Sequence, residues 1–146
     1  MRAGFPTGRE VVEAPAGSDR NLEKGARMEI GLLIRYGKLV PGRETQAMAL
    51  FQESVAYFQE KVAAGDIASF EPFFFMTSDL DQELGFFVVK GPAPAIFALM
   101  EDERYRTLMQ KGMVLVEHLH SDFLVVGEGI AAQVERAMKV NAELAL

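Results

Sequence analysis

Apolar residues follow two different spacings along the chain, and the changes between them divide residues 28–146 into strands and helices. Short apolar runs closed by Gly or Pro are typical of buried strands, whereas apolar residues three and four positions apart are typical of helices. The runs predict strands at 30–36, 67–76, 84–91 and 113–129. The helical spacing predicts helices at 43–64, at 92–112 in two pieces, and from about residue 129 onward.

The clearest helix is predicted for residues 43–64, where one face is apolar and the others carry Gln, Glu and Lys. Gly65 follows the helix at the place where a left-handed capping residue is expected. The apolar face consists of Ala47, Phe51, Val55, Phe58 and Val62.

The predicted order β-α-β-β-α-β with an extra C-terminal helix indicates an α+β, ferredoxin-like domain, in which both crossover helices cover one face of an antiparallel sheet. The strands at 67–76 and 84–91 are apolar on both faces, because Phe73 and Phe75 alternate with Phe74, and Phe86 alternates with Phe87. Two helices cover one face only, and the other would expose on the order of several hundred Å² of apolar surface. A second copy packed face to face would cover it, so the sequence predicts a homodimer.

Four segments give the chain a resemblance to the dimeric α/β-barrel superfamily, whose ferredoxin-like subunits pack their sheets into a shared barrel. They are GLLIRYGKLVPGRE, GFFVVKG, LMEDERYRTLM and LVEHLHSDFLVVGEG, within residues 28–128. Distant likeness extends to antibiotic-biosynthesis monooxygenases, stress-responsive barrel proteins and YCII-related proteins. The resemblance implies a fold and an assembly, whereas function on such a widely used fold has to be argued from the site.

Composition narrows the classes of partner. The chain has 146 residues, a formal charge of −6 and no cysteine, which disfavours nucleic-acid binding and excludes disulfides and thiolate metal sites. No apolar run is long enough to cross a membrane, and a cytoplasmic protein without a cofactor is expected. Residues 1–27 are rich in Gly, Pro, Ala and charge and are predicted to be a flexible extension preceding the domain of residues 28–146.

Both histidines of the chain lie in one stretch, EHLHSD, which the apolar pattern places in the last strand. Alternation along a strand would put His118, His120 and Asp122 on one face. Such a set could ligate a metal or provide acid–base catalysis. The alternative is a polar stretch near the open end of the barrel, where the imidazoles meet water.

Arg35 ends the first strand and needs an acceptor if it is half-buried, and Glu71 is one candidate for that partner. Arg35 could also stabilise an enolate-like oxygen in a cofactor-independent oxygenase or isomerase that uses His118 or His120. Glu71 could act as a base, although Pro72 beside it favours an edge strand. The residues expected to contact a ligand are Tyr36, Glu71, Phe74 and Phe87.

The sequence thus predicts a homodimeric α/β-barrel protein that binds a small, mostly apolar molecule in the cleft between helices and sheet. Two alternatives stay open. One is the oxygenase or isomerase just described, and the other is a dimerisation module without chemistry.

Overall fold

The computed structural model describes residues 28–76 and 83–145. The predicted extension, residues 1–27, lies outside the described residues, as do residues 77–82 and residue 146. The order of elements confirms the predicted βαββαβ arrangement followed by a C-terminal helix. The elements are β1 (Glu29–Tyr36), α1 (Glu44–Ala63), β2 (Ser69–Phe74), β3 (Gly85–Pro92), α2 (Ala93–Leu99), α3 (Glu103–Leu115), β4 (His120–Val125) and α4 (Glu128–Glu143).

The four strands form one sheet in the order β2-β3-β1-β4, with antiparallel pairing between all neighbours. β1 and β3 lie in the centre and β2 and β4 at the edges, which is the ferredoxin-like topology. The predicted fold class is therefore confirmed. Pro72, expected at an edge, lies in the edge strand β2, where its missing N–H costs no inner ladder hydrogen bond.

One face of the sheet packs on the helices and forms the core. Alternate residues of the two central strands point toward α1 and α3, and these side chains are almost completely buried: Leu32 is 1% exposed and Val89 0% exposed. From the helices, Tyr57, Phe58, Ile96 and Tyr105 complete the same cluster. Gly65, with φ of +81°, follows α1 in the left-handed conformation that the sequence predicted.

The opposite face of the sheet is called here the open face. None of its side chains is buried, and Phe73 is 40% exposed. Phe86 stacks on Phe73 with ring centroids 4.9 Å apart and also contacts Phe75, as the predicted alternation requires. The open face includes Leu33, Arg35, Glu71, Phe73, Phe86, Val88, Lys90, His120, Asp122 and Leu124.

The last strand is shorter than predicted. Residues 113–115 belong to α3, which ends at Leu115, and β4 begins only at His120. The buried residues Tyr105, Leu108 and Gly112 keep helical spacing, and continuing that helix lets Leu115 pack against the core. A short apolar run cannot by itself distinguish a strand from a helix that is buried on one side.

Candidate ligand-binding cleft

An apolar cavity, called here the cleft cavity, lies between helices α1 and α3 and the helix-facing side of the sheet. It contains about 690 Å³ of space free of protein atoms, counted out to the mouth where it meets solvent. Its lining includes Ile34, Tyr36, Phe74 and Phe87 from the sheet, Ala47, Met48, Leu50, Phe51, Ser54 and Phe58 from α1, and Tyr105, Leu108, Met109 and Gly112 from α3.

Aromatic rings form one wall of the cleft cavity. Phe51 of α1 stacks on Phe74 of β2, with ring centroids 5.2 Å apart, and lies 5.6 Å from Phe87. The Tyr36 ring meets Phe87 edge to face at 5.5 Å. Phe74 is nevertheless 55% exposed, because it lies at the mouth. The wall is therefore fixed by ring contacts on one side and available to a bound molecule on the other.

The Tyr36 hydroxyl is a buried polar group without a hydrogen-bond partner among the described residues. Burial raises the pKa of Tyr36 to about 12, so the hydroxyl is protonated at neutral pH. The hydroxyl lies close to Gly85, where an added Cβ would be 2.8 Å from the oxygen. An unpaired buried hydroxyl is costly, since it has lost its hydration without compensation.

Apart from Tyr36, almost all the side chains that line the cleft cavity are apolar. Among the described residues that surround the cleft cavity there is no Asp, Glu, Lys, Arg or His. The other hydroxyls belong to Ser54 and to Tyr105, which hydrogen-bonds Ser121. A ligand would therefore be held mainly by apolar contacts. A charged ligand would have no oppositely charged side chain beside it.

Arg35 and His120 contact each other on the open face, across the sheet from the cleft cavity. Arg35 Nη2 hydrogen-bonds His120 Nε2 and lies 3.3 Å from Asp122 Oδ2. Arg35 Nη1 lies 3.9 Å from Glu83 Oε2. The register of β1 and β4 brings these residues together, because Arg35 pairs with His120 and Leu33 with Asp122. The open face thus contains a compact polar cluster within an apolar surround.

His118 does not share a strand face with His120, contrary to prediction. It precedes β4 and has φ of +56°, which interrupts the extended backbone. Its carbonyl oxygen, not its ring, lies 3.1 Å from His120 Nδ1. Within residues 28–76 and 83–145 no three His, Asp or Glu side chains are grouped as metal ligands would be, so the triplet His118, His120 and Asp122 is not assembled as a metal site.

Glu71 was expected to pair with Arg35, and this expectation is wrong. Glu71 lies in β2 opposite Val88, separated from β1 by the whole of β3, and Arg35 instead contacts Asp122 and Glu83. Glu71 is exposed on the open face and does not line the cleft cavity. Of the four residues expected to contact a ligand, the cavity lining includes Tyr36, Phe74 and Phe87.

The sequence interpretation missed the contribution of α3 to the cavity. Tyr105, Leu108, Met109 and Gly112 line it together, and their spacing of three, four and seven residues was a detectable signal of one helix face. Gly85 also went unnoticed, since a glycine between Leu84 and Phe86 gives no sign that a hydroxyl from another strand rests against it.

Comparison with known proteins adds one structural likeness. No family model and no curated protein matches the chain. A crystal structure of a NIPSNAP family protein from Agrobacterium tumefaciens is similar over 70% of this chain and 89% of that chain, with 18% identity and a TM-score of 0.47. Among the described residues, no helix has the length and apolarity needed to span a membrane. Function therefore has to be argued from the geometry of the cleft cavity.

Proposed function

We propose that the protein binds a small, mostly apolar molecule in the cleft cavity. The observation that carries the proposal is the cavity itself, which apolar side chains from α1, α3 and the sheet line almost completely. Protein interiors are otherwise packed at the density of organic crystals. Apolar side chains would gain van der Waals contacts if they closed this space, and a bound molecule would supply those contacts instead.

The exposure of Phe74 supports the same proposal. This ring stacks on Phe51 at the mouth, yet 55% of the residue is exposed. Covering apolar surface contributes roughly 25 cal/mol per Å². A ligand that reaches from the interior of the cavity to Phe74 therefore gains binding energy from surface that the protein leaves uncovered.

The proposal is tested with 2-isopropylnaphthalene, a neutral hydrocarbon whose fluorescence can be followed because the chain has no tryptophan. We expect saturable binding to the wild-type protein and a loss of at least about tenfold in affinity for Ser54→Leu. Leucine at Ser54 extends into the space that the probe needs. The matched control is Gln52→Leu, an equally apolar change on the exposed side of α1, which should retain the affinity. Absence of saturable binding, or equal affinities in both variants, would refute the proposal.

The second element of the proposal is a homodimer formed through the open face. Leu33, Phe73 and Phe86 leave apolar surface at least partly exposed there, and the same face contains Arg35 beside Asp122. A twofold axis brings identical surfaces together. A face that has both a guanidinium and carboxylates can then complement its own copy without an excess of like charge. These features favour a second copy of this chain over an unrelated partner.

Leu33→Lys tests the dimer, because position 33 is central in the open face and lies opposite Asp122 in the register, where a lysine gains an ion pair. We expect wild-type protein to sediment as a dimer at micromolar concentration and Leu33→Lys to sediment as a folded monomer. Met113→Lys, at a residue 64% exposed on α3, is the matched control and should remain dimeric. A wild-type monomer would contradict the proposed assembly and would leave the binding proposal intact.

Acid–base chemistry by His118 or His120 with Arg35 stays a prediction. Arg35 and His120 are absent from the lining of the cleft cavity and contact each other on the open face. Such chemistry would act on a molecule held between the sheets of the proposed dimer. His120→Gln should accordingly leave binding of 2-isopropylnaphthalene unchanged, whereas a loss of binding would place His120 at the cleft.

A further inference from the structure

Helix α4 has an apolar stripe that no described residue covers. Gly129, in the first turn, is the one buried residue of the helix, and every later residue of α4 is exposed. Ile130, Val134 and Met138 recur every four residues and therefore share one face, called here the α4 stripe. Isolated helices of this length are only marginally stable in water, and helices in proteins are held mainly by packing of an apolar face. The α4 stripe therefore calls for a surface to pack on.

Another apolar surface, called here the β4 patch, lies on the helix-facing side of the edge strand β4. Phe123 pairs with Leu32 of the core, so both side chains point to that side of the sheet. The Phe123 ring meets Phe97 of α2 edge to face, with centroids 5.0 Å apart, yet the two residues are 51% and 49% exposed. The β4 patch consists of Phe97, Phe123 and Val125, all about half exposed.

The first turn of α4 is fixed in a position that leaves the β4 patch of the same chain uncovered. An added Cβ at Gly129 would lie 3.2 Å from Val125 Cγ1, so the backbone of the helix packs closely on the end of β4. The Ile130 N–H donates to the Gly127 carbonyl oxygen at 3.1 Å. Only residues 126–127 separate β4 from α4. Turning the helix back over Phe123 would therefore break these contacts.

We infer that the α4 stripe of one copy packs on the β4 patch of a second copy, which returns the same contact. Such an exchange is isologous and closes on itself, because each copy provides both surfaces. A second copy is favoured over an unrelated partner since it presents an apolar patch and an apolar helix at once. The inference goes beyond the proposed function, because neither surface includes a residue of the open face or needs a ligand.

The area of the two surfaces fits this contact. They provide six apolar side chains that are about half exposed or more, and each leaves on the order of 100 Å² in water. Reciprocal contact would bury up to roughly 1,200 Å² in the pair, at the lower end of the range for specific interfaces. Interfaces at this end are commonly weak. We therefore expect the exchange at concentrations of about 500 µM, well above the micromolar range of the open-face dimer.

The Leu33→Lys variant, in which the open-face contact is removed, isolates the exchange. We expect this protein, a monomer at micromolar concentration, to sediment as a dimer at about 500 µM. Adding Val134→Glu should weaken that association at least about tenfold, because a carboxylate would be buried among apolar side chains. The matched control is Ala132→Glu, which places the same charge on the opposite, exposed side of α4 and should leave the association unchanged.

Mixing two variants tests whether the contact is reciprocal. In the Leu33→Lys background, Val134→Glu and Phe97→Lys should each associate weakly alone. A one-to-one mixture should associate at least about tenfold more tightly, because both changes then fall in one contact, as an opposite-charge pair, while the other contact stays native. Phe123→Lys replaces Phe97→Lys if circular dichroism shows that the latter does not fold.

Three outcomes would overturn the inference. One is a Leu33→Lys protein that stays monomeric at about 500 µM, provided that the chain with Leu33 unchanged also shows no association beyond its state at micromolar concentration. Another is equal association of the Val134→Glu and Ala132→Glu variants. The third is a mixture that associates no better than its components, which would mean that like surfaces pair with like. A wild-type monomer at micromolar concentration would contradict only the open-face dimer.

Discussion

The Tyr57 hydroxyl donates a 2.6 Å hydrogen bond to the Asp102 carboxylate and thereby joins α1 to the start of α3. The same carboxylate caps α3 by accepting a hydrogen bond from the Arg104 backbone N–H at 3.1 Å. Lys61 Nζ lies 3.1 Å from it as well. Because α1 and α3 both line the cleft cavity, this carboxylate fixes the relative position of its two helical walls.

Tyr57→Phe should lower the free energy of unfolding by about 1.5–3 kcal/mol, the usual contribution of a hydrogen bond to a charged group. Tyr57 is completely buried, and the substitution removes its donor without removing the ring from the packed helices. Urea denaturation measures the change. Lys111→Met is the comparison, because Lys111 joins α3 to Glu53 of α1 by an exposed ion pair at 3.2 Å, and it should cost no more than about 1 kcal/mol. Equal losses in the two variants would contradict the role assigned to Tyr57.

The effect of Tyr57→Phe should also depend on pH. The hydrogen bond from Tyr57, followed by those from Lys61 and the Arg104 backbone, holds the pKa of Asp102 below its ordinary value. A carboxyl with a lowered folded-state pKa adds stability above its unfolded pKa, about 3.9, and loses it as the pH falls through the folded value. The difference in unfolding free energy between wild type and Tyr57→Phe should therefore shrink as the pH falls from about 5 to about 3. A constant difference over that range would show that the bond does not depend on the charge of Asp102.

Tyr36→Phe should have the opposite effect on stability. Its hydroxyl is buried without a partner, so its removal should raise the free energy of unfolding by about 1 kcal/mol. Urea denaturation in the absence of ligand measures the gain. Destabilisation of the ligand-free protein would mean that the hydroxyl has a partner.

All three tyrosines of the chain should resist ionisation until the protein unfolds. Burial raises the pKa of Tyr36 to about 12 and also raises those of Tyr57 and Tyr105, with the Asp102 carboxylate adding to the effect at Tyr57. Below pH 10 the folded and unfolded states are both neutral at these residues, and their contribution to stability is complete. Between about pH 10 and 12 Tyr36 ionises only in the unfolded state, so this residue lowers stability by up to about 1.4 kcal/mol per pH unit, and the raised pKa values of Tyr57 and Tyr105 add losses of the same sign.

The test follows phenolate absorbance and far-ultraviolet circular dichroism together during an alkaline titration. We expect the absorbance to rise only as the helical signal disappears. A tyrosine that ionises near pH 10 while the protein remains folded would contradict the burial of that residue.

The part of the fold that the sequence could predict depends on repeated, redundant patterns. The division of strand 84–91 into two faces could be predicted, because Phe87 and Val89 alternate with Phe86 and Val88. Which face packs on the helices could not be predicted, since both are apolar. The residue at which α3 ends could not be predicted from the sequence, because Met113, Val114 and Leu115 fit a strand as well as they fit a helix. The helix continues there through long-range packing, which local propensity does not encode.

The contacts of the polar residues were likewise predictable only in part. Arg35 needed an acceptor, and the sequence indicated as much, but the choice of Asp122 over Glu71 follows from the strand order β2-β3-β1-β4. His118 left the strand because its backbone has a positive φ, for which histidine gives little warning. The sequence predicted that Tyr36 contacts a ligand, and the structure places Tyr36 in the lining of the cleft cavity, whereas the missing partner of its hydroxyl is visible only in three dimensions.

Two glycines next to the cleft cavity should respond very differently to alanine. At Gly85 an added Cβ would lie 2.3 Å from the Phe73 carbonyl oxygen and 2.8 Å from the Tyr36 hydroxyl. The carbonyl belongs to the backbone of the paired strand and cannot move without breaking the register of β2 and β3. Gly85→Ala should therefore lower the free energy of unfolding by at least the roughly 1–3 kcal/mol typical of an overpacked core.

At Gly112 the nearest atom is Leu119 Cδ2, 2.7 Å from an added Cβ, and this methyl group can rotate away. Alanine also favours the helix over glycine by about 1 kcal/mol, which offsets the cost of moving Leu119, so Gly112→Ala should leave stability within about 1 kcal/mol of wild type. Urea denaturation of both variants gives the comparison. If Gly85→Ala is tolerated as well as Gly112→Ala, then β2 and β3 can separate at this end of the sheet. The position of the Tyr36 hydroxyl would then depend on something other than the close approach of the two strands.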